Sequence, residues 1–164
     1  FRDNPWDFSE SRLHGMADRI DNENGTVVVT DYKTGTVEAR ELKLKGNWTE
    51  KLDEGKSGKA LQLLMYAAIA LETLGPDGRQ RTDATGQIDR VRAGIRSGKN
   101  AHAGLIPLSI DGQTFIEKQH ASELLRWISQ KLHELHETNT GLEHETESKY
   151  CAYCTVLDPL PEYF

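Results

Sequence analysis

The run Asn22-Glu23-Asn24-Gly25 narrows what this chain can become more than any other stretch. Asn and Gly enter turns that need left-handed backbone at little steric cost. Immediately after it stands Thr26-Val27-Val28-Val29-Thr30, whose β-branched side chains suit a pleated, packed surface. Ser11 to Asp21 leads into the turn from the other side, so the sequence predicts a β-hairpin with its second strand over Thr26–Thr30. Three consecutive valines then run straight into Asp31-Tyr32-Lys33-Thr34-Gly35. A strand buried where it enters and charged where it leaves presents those charges at a sheet edge or in a cleft.

Strand geometry sharpens this. Asp31 and Lys33 are two apart and share one face. A four-residue loop over Asn22–Gly25 sets Asp21 opposite Thr26 and Asp18 opposite Val29, which makes Asp18 the diagonal neighbour of Asp31 on the same face. A slip of one residue would turn Asp18 to the wrong side. Two adjacent carboxylates repel and resist desolvation, and a hard divalent cation such as Mg²⁺, which takes oxygen ligands and keeps several waters, removes that penalty. Such an ion polarises a phosphate oxygen and lowers the pKa of an attacking water. A lysine beside it orients that water or stabilises the charge on phosphorus. Asp18, Asp31 and Lys33 are thus what phosphodiester hydrolysis asks for. A lone Asp-x-Lys is more often a pair of solvated charges, and Arg19 and Asp21 read more simply as a surface ion pair. His14 shares the Asp18 face by parity, where a solvated or satisfied imidazole is the simpler reading.

Further along, Gly35–Gly58 is polar and punctuated by glycine, with a strand expected around Val37–Leu42 followed by a loop. Ala60–Leu74 (ALQLLMYAAIALETL) is the clearest helix, stopped by Gly75-Pro76 and apolar almost all round, hence buried. Gln62 and Tyr66 stand at i and i+4 on one face of it. A buried polar pair needs partners, so a purely structural hydrogen-bonded pair competes with a functional role. Gly75–Arg90 reads as a loop, Val91–Ile95 as a strand, Gly98–Ala101 as a turn and Leu105–Ile110 as a strand closed by Asp111-Gly112. Ala121–His136 is an amphipathic helix with Leu124, Leu125, Ile128, Leu132 and Leu135 at helical spacing. This order predicts an α/β or α+β domain with a central mixed sheet.

The 164 residues suffice for one domain with a real core. A net charge of −6 speaks weakly against a non-specific nucleic-acid coat. The charge is unevenly placed, however. His133–Phe164 holds seven acids and one lysine, so the remainder is neutral, and Gly75–Ala103 sets six Lys or Arg against three Asp. Local positive charge is therefore available for phosphates. No apolar run suggests a membrane span and no signal peptide is evident, so a cytoplasmic location is expected.

Gly15-Met16-Ala17-Asp18-Arg19-Ile20-Asp21, then Val27-Val28-Val29-Thr30-Asp31-Tyr32-Lys33-Thr34-Gly35, then Gln62-Leu63-Leu64-Met65-Tyr66, resembles the PD-(D/E)XK nuclease superfamily. Within it the pattern is most similar to the RecB-type and AddB-type nuclease domains of bacterial helicase–nuclease complexes. The resemblance implies a restriction-endonuclease-like core, a central mixed β-sheet flanked by helices. It implies Asp18 and Asp31 as metal ligands, the backbone carbonyl of Tyr32 as a further ligand, and Lys33 as the catalytic lysine. Gln62 and Tyr66 match a helix motif that borders the active site and contacts the substrate phosphate or orients the lysine. It further implies Mg²⁺ as cofactor, with Mn²⁺ able to substitute, DNA as substrate, a helicase subunit or domain as partner, and exonuclease-type action in recombination or double-strand break repair.

The chain departs from that pattern twice. The family supplies another Glu or His ligand from an N-terminal helix, which is expected upstream of Phe1; 1–164 is thus read as a single nuclease domain cut from a larger protein. Asp7 and Glu10 are the substitutes within the chain, with nothing to single them out. Tyr150-Cys151-Ala152-Tyr153-Cys154 resembles the C-terminal segment that relatives use for a four-iron cluster, but such a cluster needs four cysteines and this chain has two, so none is expected here. A zinc site drawing on His133, His136 or His144 is conceivable, and a degenerate segment packed on the core is preferred. Two other readings stay open: a nuclease fold retained as a non-catalytic DNA-binding or scaffolding module, and a restriction-type or phage-like exonuclease.

Overall fold

The computed structural model describes residues 14–80 and 86–137, with only the backbone of His136. It opens with the hairpin. Strand β1 (Arg19–Glu23) pairs antiparallel with β2 (Thr26–Lys33), Glu23 facing Thr26 and Arg19 facing Thr30. The turn is the two residues Asn24 and Gly25, with φ of 52° and 80°. Positive φ at both central positions matches the twist of the flanking strands, which is why Asn-Gly is favoured there. The expected four-residue loop is therefore corrected to two, and the register moves by two residues. Since side chains alternate with a period of two, the faces are preserved. β2 also runs three residues further than its valine-rich start suggested, carrying Asp31 and Lys33 inside the strand.

The stretch expected as a strand over Val37–Leu42 is instead a 3₁₀ turn, Ala39–Leu42, followed by the two-residue strand β3 (Lys43–Leu44). Glu38 and Glu41 form a reciprocal capping box at the turn's start, and that local pairing outcompetes the extended form. The expected loop after it contains a short helix, α1 (Trp48–Asp53), seated by buried Trp48 and Leu52. Helix α2 (Gly58–Thr73) matches the clearest sequence signal, and only Gly58 and Glu72 along it are exposed.

Strand β4 (Arg90–Ser97) pairs parallel with β2, Asp31 beside Ile95 and Lys33 beside Ser97. Parallel neighbours need a crossover, and α2 supplies it. Val27 and Val29 of β2 and Val91, Ala93 and Ile95 of β4 meet Leu63, Leu64, Ala67 and Leu71 of α2 in one apolar core. The predicted strand Leu105–Ile110 is split. β5 (Ile106–Pro107) pairs with β4, whereas β6 (Ser109–Ile110) crosses to β3. Pro107 has no N–H for a continuous ladder, and Leu108, fully buried, donates its N–H to Ala93 O. An unanticipated strand, β7 (Phe115–Glu117), pairs with the first half of β4, Arg90–Arg92, on the edge that β5 takes further along. The result is a five-stranded mixed sheet with a two-stranded appendage.

Helix α3 (Lys118–Glu137) packs on α2. Its inward side is Ala121, Leu124, Trp127 and Ile128, while Leu125 and Leu135 are exposed. The expected leucine stripe is thus rotated, because Trp127 joins the inner face and donates its indole N–H to Asp53 at the end of α1 over 2.9 Å. No described helix is long and apolar enough to cross a membrane. Asp7, Glu10, His144, Cys151 and Cys154 lie outside the described residues.

Candidate active site

The site forms where β2 leaves the core beneath α2. Asp31 lies on the same strand face as Val27 and Val29, and that face is covered by α2, so its carboxyl group is only 4% exposed. Lys33, next on that face, brings its ammonium within 2.9 Å of Asp31 Oδ2. Among the described residues this buried oxygen accepts no hydrogen bond, so the lysine meets it as an ion pair alone. Lys33 Nζ donates instead to Gln62 Oε1 at 2.9 Å, and Gln62 Nε2 donates to the Tyr66 hydroxyl at 2.8 Å. The oxygen and the nitrogen of the Gln62 amide are both engaged, which fixes its rotamer and aims the lysine. The chain Asp31–Lys33–Gln62–Tyr66 therefore links the strand to one turn of α2.

Asp18 is the residue just before β1, and the hairpin register, continued by one residue beyond Arg19–Thr30, would set it opposite Asp31 and not diagonally as a four-residue loop implies. Asp18 Oδ2 accepts the Tyr32 backbone N–H at 2.7 Å, tying the segment before β1 to the residue between Asp31 and Lys33. Gly15 makes this approach feasible. A Cβ there would stand 3.1 Å from Tyr66 Cε1 and 3.3 Å from Ile69 Cδ1, tighter than ordinary contact. The side chain of Tyr32 points to the opposite sheet face and is 47% exposed. On that same face Arg19 pairs with Asp21 at 2.7 Å, a pairing that holds the Asp21 carboxyl below its usual range. His14 and His133 are exposed, with no hydrogen bond or ion pair among the described residues.

Sequence reasoning missed the brace behind Lys33. Gly98 N donates to Lys33 O at 2.8 Å, and the buried Ser97 Oγ donates to Gly35 O at 2.7 Å while accepting Asn100 N at 3.2 Å. Asn100 Nδ2 adds a 3.3 Å bond to Val37 O. Ser-Gly-Lys-Asn reads only as a turn in sequence. Its role depends on the parallel register that places Ser97 beside Lys33.

The donor set suits a hard cation. Asp31 Oδ2 is buried and accepts no hydrogen bond among the described residues, with the Lys33 ammonium as its counter-charge at 2.9 Å, and the Asp18 carboxylate is tied to the next peptide through the Tyr32 N–H; a divalent cation bound by the two carboxylates would complete their coordination. Both donors are oxygen, the preference of Mg²⁺ or Mn²⁺. Among the described residues no group of three or more His, Cys, Asp or Glu converges as a metal cluster.

The family description "PD-(D/E)XK nuclease superfamily" matches residues 3–158. The chain belongs to this superfamily. The mixed sheet flanked by helices is consistent with its restriction-endonuclease-like fold, and membership indicates a nuclease, a hydrolase of a class that generally works with divalent metal ions on DNA. No curated protein and no solved structure matches the chain.

Proposed function

We propose that this PD-(D/E)XK domain is a Mg²⁺-dependent deoxyribonuclease of exonuclease type, of the RecB/AddB kind. In this reading it works beside a helicase in recombination and double-strand break repair, in the cytoplasm. The observation that carries the proposal is the buried Asp31 carboxylate ion-paired with a lysine that Gln62 holds, with Asp18 tied to the Tyr32 N–H between them. Asp18, Asp31 and the Tyr32 carbonyl would hold the cation. When bound, it supplies Lewis-acid polarisation of a phosphate oxygen and a more acidic water.

The chain's own residues do the rest. Lys33, neither free nor fully neutralised, offers its ammonium to the water or to the charge growing on phosphorus. Gln62 keeps that ammonium from collapsing onto Asp31 alone, and Tyr66 keeps Gln62 in the right rotamer. The α2 face excludes bulk water from the Asp31 side, which strengthens each of these interactions. Recognition runs through phosphate contacts, so little sequence preference is expected.

The test is incubation with linear labelled DNA and Mg²⁺ or Mn²⁺, alongside Asp31→Ala and Lys33→Ala. Degradation by the parent and by neither variant supports the proposal. Equal degradation by all three sinks it. Binding without cleavage by the parent would favour the non-catalytic module.

A further inference from the structure

Away from the carboxylates, β3 carries a feature that the reaction does not use. Lys43 and Lys45 project from one side of it because Leu44, between them, is turned inward and 2% exposed. They line an open cleft of about 370 Å³ together with Ala39, Pro107, Ser109 and Thr114, and no acidic side chain lines it. Neither lysine has an ion-pair partner among the described residues. The neighbouring acids are already engaged: Glu38 with Arg40, and Glu41 with Lys59. The Asp111 backbone N donates to Leu44 O, and its Oδ1 accepts Gly46 N, each at 2.9 Å. Those two bonds clamp the backbone on both sides of Lys45, while Lys43 and Leu44 are laddered to Ser109 and Ile110. The two side chains thus leave a fixed stretch of backbone, Lys43 in β3 and Lys45 just after it.

We infer that this cleft is a second nucleic-acid contact, in which Lys43 and Lys45 neutralise successive phosphates of a DNA strand bound by the protein. The inference rests on the nuclease reading for its choice of ligand. Alternate residues on a strand are separated by roughly 7 Å, two rises of about 3.3 Å, a spacing comparable with that of neighbouring phosphates on an extended strand. No acidic side chain lines the cleft to neutralise the two ammonium groups, and a polyanion is a ligand that supplies that charge. The Ser109 and Thr114 hydroxyls add donors suited to phosphate oxygens.

The test is fluorescence anisotropy with a fluorescein-labelled oligothymidylate in EDTA, where no metal-dependent cleavage occurs, across a salt series. Each phosphate contact to a single strand contributes about 0.7 to the slope of log Kd against log salt. Lys43→Ala/Lys45→Ala is expected to weaken binding several-fold at low salt and to reduce the slope by about 1.4. Lys43→Arg/Lys45→Arg should retain both. The control Lys118→Ala/Lys131→Ala removes equal charge from lysines that already have acid partners, and should leave the slope in place. An unchanged slope in the Ala pair, an equal loss in the control, or no oligonucleotide binding by the parent overturns the inference. A Lys-dependent slope in a protein that never cleaves with Mg²⁺ would leave the cleft standing and remove the nuclease reading. Cleavage with an unchanged slope would do the reverse.

Discussion

Gln62→Leu separates two ideas about the α2 pair. Leucine keeps most of the volume but leaves Lys33 with Asp31 as its sole partner. The lost bond, Lys33 Nζ to Gln62 Oε1 at 2.9 Å, involves a charged donor, and such bonds are worth about 1.5–3 kcal/mol. Lys33 is about one-third exposed, so water recovers part of that, leaving about 1–1.5 kcal/mol. At 1.36 kcal/mol per decade, the chemical step should slow about five- to tenfold. Tyr66→Phe removes only the neutral bond from Gln62 Nε2 to the hydroxyl, worth about 0.5–1.5 kcal/mol. Acting at one remove from Lys33, it should cost about two- to threefold.

Single-turnover hydrolysis of labelled single-stranded DNA at saturating Mg²⁺ reads the step, and anisotropy reads binding separately. If Tyr66 works through Gln62, the double variant should be no slower than Gln62→Leu alone, a coupling that a double-mutant cycle measures directly. If Tyr66→Phe costs as much in the Gln62→Leu background as in the parent, the two act independently. Tyr66 then touches substrate by itself, and the linear chain of hydrogen bonds is wrong as an account of catalysis.

Asp31→Asn should weaken Mn²⁺ binding, read by the free-ion EPR signal, by at least about tenfold, since even outer-shell changes cost that much. Unaltered affinity would place the ion elsewhere. Ser97→Ala strands the Gly35 carbonyl and the Asn100 N–H. It should lower unfolding stability in urea by about 1–3 kcal/mol and slow cleavage, while Asn100→Ala should do so more mildly; a stable, fully active Ser97→Ala would show that the brace is dispensable. The Asp53 carboxyl is held below its usual range by the Lys131 ammonium, then by the Trp127 indole N–H. A depressed carboxylate contributes stability above its unfolded pKa of about 3.9 and loses it as pH falls through the lower folded value. Asp53→Asn should therefore lower Tm near neutrality and flatten the acid limb of Tm against pH, and parallel curves would refute the linkage.

What was legible in the sequence follows from which interactions are local. The hairpin could be read because Asn-Gly and a valine run each state their conformation within a few residues. Helix α2 could be read because its length and composition leave no other choice. Val37–Leu42 was misread because the Glu38–Glu41 capping box is a side-chain interaction that a β-branched or aliphatic count does not register. Leu105–Ile110 looked like one strand because its apolar run is continuous, yet its two halves answer to different partners, β4 and β3. The α3 stripe rotated because the Trp127–Asp53 bond is set by where α1 ends, which pattern does not disclose. The brace of Ser97 and Asn100 was invisible for the same reason, since both act through a parallel register fixed only once α2 has crossed over.

The relation of Asp18 to Asp31 shows why loop length and strand face are separate questions. Loop length was overestimated by two residues, an even number that leaves the expected faces unchanged, because side-chain direction depends on the parity of the register and not on its value. The true register does more than preserve the face. Continued by one residue it would convert a diagonal relation into a direct one, and Asp18 accepts the Tyr32 N–H. That bond occupies Asp18 Oδ2. It also fixes the peptide between Asp31 and Lys33, so the segment that carries one acid sets the backbone that carries the other acid and the lysine. A mutation that lengthened the turn by one residue would turn Asp18 away and release Tyr32 N at once, whereas an insertion of two would restore the face but not the opposition. Inserting one and then two glycines after Asn24, with Mn²⁺ affinity as the readout, should give loss followed by partial recovery. A monotonic decline would mean that proximity alone, and not strand parity, governs the pair.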